Sequence, residues 1–174
     1  MTTDREKGIY KSRPLNLKLR IVDSEFSEMK EYKGTKAISF VYDKDAIPVL
    51  RGDIVIDNCT FLYFMSDKGS AIDFNIQLYK SHAGKRMSLK ITNTLFFNNF
   101  CTAKGCSIYI ARNVETSLRN TTFVMNITEY TENEDSMQSD IFIFTFSHLI
   151  IKHCAFHVHG VYIKLPSLIG MRLD

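Results

Sequence analysis

LRIVDSEF (19–26), IVIDNCTF (54–61), LKITNTLF (89–96), TSLRNTTF (116–123) and LIIKHCAF (149–156) are five versions of one phrase. In each, an aliphatic residue (Ile21, Ile56, Ile91, Leu118, Ile151) precedes a phenylalanine (Phe26, Phe61, Phe96, Phe123, Phe156) by five positions. A small residue stands three positions after the aliphatic one: Ser24, Cys59, Thr94, Thr121, Cys154. The anchors are 35, 35, 27 and 33 residues apart. Recurrence at such a period marks a stacked architecture, in which each unit buries its apolar face only against its neighbours. The anchor-to-Phe distance is constant while the remainder varies. One strand and its turn are thus fixed, and the other loops accept insertions.

Working outward, each unit also carries a second alternating run. These are GTKAISF from Gly34, GSAIDF from Gly69, GCSIYI from Gly105, SDIFIF from Ser139 and GVYIKL from Gly160. Alternation puts one set of side chains inward, and the glycine gives the backbone room for a corner. Each unit therefore reads as a coil: strand, tight turn, short strand around the Phe, loop, Gly bend and second strand. Stacked about 4.8 Å apart, successive coils pair each strand with its copies above and below. The fold class is all-β, a parallel solenoid of about five coils. It occupies 17–165, after a polar lead-in at 1–16 and before a tail at 166–174.

Stacking turns equal positions into ladders. Phe26, Phe61, Phe96, Phe123 and Phe156 make one. Before the small residue lie Asp23, Asn58, Asn93, Asn120 and His153, and the consecutive Asn58, Asn93 and Asn120 read as an internal amide ladder. Asparagine also tolerates the left-handed backbone that such a turn needs.

Composition agrees with strands rather than helices. Of 174 residues, 45% are hydrophobic, and 13 are Phe and 8 Tyr, a bias toward β structure. The net charge of +3 comes from scattered basic residues. The dense run between Glu129 and Asp140 is acidic, so nucleic acid is not an expected partner. No segment has the run of apolar residues that a membrane-spanning helix needs. The N-terminus lacks the apolar stretch of a secretory signal.

The phrases resemble those of the right-handed parallel β-helix in the pectin-lyase-like superfamily. They are most similar to adhesin- and autotransporter-type repeats, including the chlamydial polymorphic outer-membrane proteins, and to uncharacterised extracellular β-helix proteins of animals. That group pairs G-G-A-I with F-x-x-N. Here the first occurs as Gly69-Ser70-Ala71-Ile72 and Gly105-Cys106-Ser107-Ile108, the second as Phe96-Phe97-Asn98-Asn99 and Phe123-Val124-Met125-Asn126. Met29, Phe64 and His159 stand where the pattern has Asn. The resemblance implies a fragment of a longer extracellular or cell-surface protein. It also implies a non-catalytic structural or adhesive module whose loops, above all 126–140, and sheet faces meet a glycan or an extracellular protein. The alternative is a carbohydrate-binding or divergent polysaccharide lyase or hydrolase.

Enzymes of that superfamily imply clustered carboxylates. The candidates are Asp53, Asp57 and Asp73, with Arg51 nearby, but no adjacent Asp pair occurs and the last two are expected to point outward. Neighbouring carboxylates serve acid–base chemistry because charge repulsion separates their pKa values. His157 and His159 alternate on one strand face, as a metal would need, yet no recognised ligand spacing is present. No catalytic residue, metal or cofactor is therefore expected. Cys101 and Cys106 flank a short loop and are the candidate disulfide of an oxidising compartment. Cys59 and Cys154 lie three coils apart, too far to bridge. Of three N-x-[ST] sequons, Asn58 and Asn120 fall on the supposed internal ladder, which leaves Asn126 as the glycan acceptor. Arg51-Gly52-Asp53 spells an integrin-type tripeptide in an expected turn.

Overall fold

The computed structural model describes residues 16–28, 34, 36–41, 51–75, 87–110, 114–128, 139–144, 148–157 and 161–164. All regular structure among them is β-strand, and every strand pairing is parallel. The first repeat holds β1 (Asn16–Val22), β2 (Glu25–Ser27) and β3 (Ile38–Val41). The second holds β4 (Arg51–Asp57), β5 (Thr60–Leu62), β6 (Met65–Lys68) and β7 (Ile72–Asn75). The third holds β8 (Met87–Thr92), β9 (Leu95–Phe97), β10 (Phe100–Lys104) and β11 (Ile108–Ile110). Then come β12 (Val114–Arg119), β13 (Thr122–Val124), β14 (Ile127–Thr128) and β15 (Ile141–Phe144), followed by β16 (His148–Lys152), β17 (Ala155–Phe156) and β18 (Val161–Lys164).

Each sheet takes one strand from each successive repeat. The first runs β1-β4-β8-β12-β16, and the second β2-β5-β9-β13-β17 read in chain order. The third is β6-β10-β14, and the fourth β3-β7-β11-β15-β18. The five opening phrases are in register: Ile21 pairs with Ile56, Ile56 with Ile91, Ile91 with Leu118 and Leu118 with Ile151. Phe26, Phe61, Phe96, Phe123 and Phe156 are partners in the same way.

Alternation selects the interior. Ile54, Ile56, Leu89, Ile91, Thr116 and Leu118 are fully buried from the first sheet, and Ile72, Phe74, Ile108, Ile110 and Ile141 from the fourth. The Phe column closes the gap between them. Neighbouring rings stack with centroids 4.8–5.0 Å apart along the whole column, and the full burial of Phe61, Phe96 and Phe123 contributes roughly 1.5–3 kcal/mol for each.

The corners have separate chemistry. Between the first and second sheets, Asp23, Asn58, Asn93, Asn120 and His153 all take φ of 49–53°. The small residue that follows turns its donor back onto the carbonyl two positions earlier. Ser24 donates to Val22 at 2.7 Å, Thr94 to Thr92 at 2.8 Å and Thr121 to Arg119 at 3.1 Å. Cys59 and Cys154 do the same through sulfur, at 3.2 and 3.4 Å. The carbonyls of Asp57, Thr92, Arg119 and Lys152 each accept as well from the backbone N–H of the preceding repeat's corner residue, so the short donor side chain adds a second, local bond that closes the turn on itself. Before the fourth sheet, Gly69 and Gly105 take φ of 52° and 60°. A Cβ there would stand 2.6 Å from the Ile72 carbonyl oxygen and 2.3 Å from that of Ile108. Space as well as conformation therefore demands glycine.

Candidate binding surface

The second sheet is short, and its inner position is taken by the Phe column, so the residues flanking each Phe face outward. Leu62, Phe97 and Val124 are partners in register and half-buried. The next residue in each repeat, Tyr63, Asn98 or Met125, turns the corner with φ of 64°, 52° and 52°. That turn pushes the side chain out: Tyr63 is 37% exposed and Met125 49%, the two large hydrophobic residues so exposed among those described. Tyr63 sets its ring edge-on to Phe97 at 5.8 Å and 90°. Thr60, Leu95 and Thr122 complete the face. Across these three repeats it carries no charged side chain. Glu25, Glu28 and His157 stand at its two ends.

An apolar residue in the left-handed region costs roughly 1–2 kcal/mol relative to the right-handed one. Tyr63 and Met125 bear that cost without a core contact to offset it. Strain of this kind at exposed side chains is where a functional hypothesis starts. Composition points the same way, since Tyr, Phe and Met without charge are the side chains enriched at the centre of binding interfaces. The sequence reading missed this face. Its one signal is the apolar residue two places after Phe61 and Phe123, where Phe96 is followed by Asn98.

On the fourth sheet a second row, Ser39, Asp73, Tyr109 and Phe142, alternates with the core positions. Tyr109 and Phe142 stack at 5.5 Å, and Lys68 and Lys104 lie over their rings at 4.8 and 5.3 Å. Phe142 is fully buried, however, so its ring presents no free platform.

Several expected site residues stand elsewhere than the sequence reading placed them. Asn58, Asn93 and Asn120 share the exposed corner rather than the inside, and only Asn93 and Asn120 are joined amide to amide. Asn120 donates to Asn93 at 3.1 Å and Asn58 to Asp23 at 2.7 Å, while Asn93 donates to Asp57 at 2.9 Å instead of to Asn58. The internal amide column belongs to the Asn of F-x-x-N. Asn99 and Asn126 are both fully buried. Asn126 accepts from the Asn99 backbone and side chain at 3.0 and 3.1 Å. It donates to the Phe96 carbonyl at 3.3 Å and to Asp140 at 2.9 Å. Both amide protons of Asn126 are thus engaged in the interior, and a glycan there is incompatible with the fold. The corner hides that asparagine because its left-handed predecessor, Met125, is the residue turned outward.

The carboxylates do not converge. Asp57 accepts from the Thr92 hydroxyl and Asn93 on the first sheet, and these hydrogen bonds hold it below the usual carboxylate range. Asp73, on the fourth sheet, is buried rather than outward, and pairs with Lys36, which also lies 3.5 Å from Asp67. Burial pushes Asp73 up, and Lys36 opposes that only in part. Burial also pushes Asp140, beside Asn126, up to about 6. Arg51-Gly52-Asp53 lies within β4, paired on both sides at Gly52, and not in a turn. His157 follows β17 at a bend. Met29, Pro48, His159, Gly160 and the 129–138 loop lie outside the described residues. Cys101 and Cys106 are joined by a disulfide with Cα atoms 4.7 Å apart, and both are buried. Cys59 and Cys154 are free thiols, and burial pushes that of Cys154 up.

Among the described residues no three metal-ligating side chains gather, and no helix is long and apolar enough to cross a membrane. No known protein family, curated protein or solved structure matches the chain.

Proposed function

We propose that the chain is a right-handed parallel β-helix of the pectin-lyase-like kind, acting outside the cell as a non-catalytic structural or adhesive module. The observation that carries the reading is the outer face of the second sheet, uncharged across its three middle repeats, with Tyr63 and Met125 exposed 37% and 49% at left-handed corners. The four parallel sheets, each drawing strands from successive repeats, support the coiled architecture. The disulfide at Cys101 and Cys106 supports an oxidising compartment. The carboxylates that could have made an acid–base pair are engaged structurally, Asp57 by Thr92 and Asn93, Asp73 by Lys36.

The face fits an extracellular protein surface. A second reading, a glycan, is favoured by one observation: Tyr63 and Phe97 set adjacent rings where a sugar could stack. The test is binding of the purified chain to immobilised extracellular-matrix proteins and to a glycan array, with Tyr63→Ala and Met125→Ala alongside. Losing both side chains should weaken binding at least tenfold while the melting temperature changes little, since alanine keeps the Cβ and neither side chain is buried. Binding that survives both substitutions would remove this face from the proposal. Calcium-dependent cleavage of a pectin-like polymer would remove the non-catalytic reading.

A further inference from the structure

We infer that Asn58 and Asn120 are N-glycan acceptors, so that the corner between the first and second sheets is the sugar-bearing edge of the molecule. The inference rests on the extracellular reading above. Both residues open a sequon, Asn58-Cys59-Thr60 and Asn120-Thr121-Thr122, and both are exposed. The third sequon asparagine, Asn126, is fully buried with both amide protons engaged. The fold thus reverses the expectation from sequence, which put Asn58 and Asn120 inside and left Asn126 as the acceptor.

The amide chemistry is compatible with the corner. Transfer joins the asparagine Nδ2 to the anomeric carbon of a lipid-pyrophosphate-linked oligosaccharide. The lipid pyrophosphate leaves with the bonding pair, and the transferase takes one amide proton. The product amide keeps one N–H. Asn58 and Asn120 each use one N–H at this corner, donating to Asp23 at 2.7 Å and to Asn93 at 3.1 Å. The remaining proton can keep that bond while the sugar leaves toward solvent. The left-handed backbone, φ of 51° and 49°, is the conformation that turns both side chains out. Asn93 shares the corner and the φ but has Leu95 where a sequon needs Ser or Thr. Asn58 and Asn120 are two stacking steps apart, roughly 10 Å, so their glycans would stand side by side. The next corner, with Tyr63 and Met125, remains open.

The test is to express the chain behind a heterologous secretion leader in glycosylating cells. Occupancy is read by peptide mass after enzymatic deglycosylation, which converts a glycosylated Asn to Asp. The expected result is occupancy at Asn58 and Asn120 and none at Asn126 in the folded, secreted protein. N58Q and N120Q should each remove one glycan's mass. L95T, which places Thr where Thr60 and Thr122 stand in the neighbouring repeats, should add one glycan at Asn93. Secreted, folded protein bare at Asn58 or at Asn120 overturns the assignment for that residue. A folded form carrying sugar at Asn126 overturns the argument from burial. The leader makes the outcome independent of where the native chain resides, which is read separately by locating the chain in its own cells.

Discussion

Asn126 accepts two hydrogen bonds from Asn99, one from its backbone N–H at 3.0 Å and one from its amide at 3.1 Å, in a site fully closed to water. The relation repeats one step along: the Phe64 N–H donates to Asn99 Oδ1 at 3.2 Å. The side chain of each buried asparagine therefore satisfies the backbone of the preceding repeat at the second corner. Left without it, a buried N–H bears a desolvation cost of about 1–3 kcal/mol. Asn126→Ala orphans the Asn99 N–H and removes the donor to Asp140. Stability should fall by roughly 2–4 kcal/mol, read from the urea midpoint. Asn120→Ala, one corner away and exposed, should cost only about 1–2 kcal/mol, because it loses left-handed tolerance and one surface hydrogen bond.

Phe96 tests the column. It lies between Phe61 and Phe123, with centroids at 5.0 and 4.9 Å and planes within 8° of parallel, and no part of it is exposed. Phe96→Ala opens a cavity between two stacked rings that cannot collapse without breaking the register of β5, β9 and β13. A loss of about 3–5 kcal/mol is expected, and calorimetry checks it. Phe26 and Phe156, half-buried at the two ends of the described column, should cost less on the same substitution.

The repeat was readable because burial here is a matter of register. Equal phrases at near-equal spacing place Ile over Ile and Phe over Phe, and the pairings follow those phrases position by position. The corners were harder to read. Asn58 and Asn126 are both asparagines next to a turn, and only the backbone says which side chain points in. At the first corner the left-handed residue is the asparagine itself, which sends it outward. At the second it is the preceding residue, Met125, which sends Asn126 inward. A similar limit applies to Asp73: one position after an inward Ile it should be solvated, yet Lys36, from the neighbouring repeat, reaches across to pair with it. The apolar face was hidden because its members occupy the open x positions of F-x-x-N and the place just before the Phe, where residue type changes from repeat to repeat.

Met125 gives a prediction of opposite sign. It holds φ of 52° with its side chain 49% exposed, so little packing offsets the conformational cost. Met125→Gly removes the Cβ strain, though it increases the freedom of the unfolded chain. The balance should be a gain of about 0.5–1 kcal/mol, seen as a raised melting temperature. Met125→Asn, which keeps a side chain tolerant of this region, should gain similarly. Both should weaken binding through the second sheet's outer face if Met125 is a contact there, and that split between stability and binding distinguishes a retained functional residue from a tolerated defect.

Asp140 makes stability depend on pH. It is buried, one oxygen accepts from Asn126, and the other has no partner among the described residues. Burial raises it from 3.8 to about 6. Between those values the folded chain binds a proton that the unfolded chain has released. The stabilisation from the neutral acid is therefore complete below about 3.8, declines as pH rises, and is gone once pH passes about 6. The difference of about 2 corresponds to an upper limit of roughly 3 kcal/mol. Asp73 and Glu28, also raised by burial, act in the same direction, while Asp57, held low by its hydrogen bonds, opposes them. The parent's pH profile is a sum, and Asp140→Asn isolates one contribution. The substituted amide still accepts from Asn126 through its oxygen but carries no charge to bury. Its stability relative to the parent should rise as pH increases from 4 to 7, by up to roughly 3 kcal/mol, and should level off above pH 7. Urea midpoints at four or five pH values measure this. A constant difference across the range would mean that Asp140 does not titrate within it.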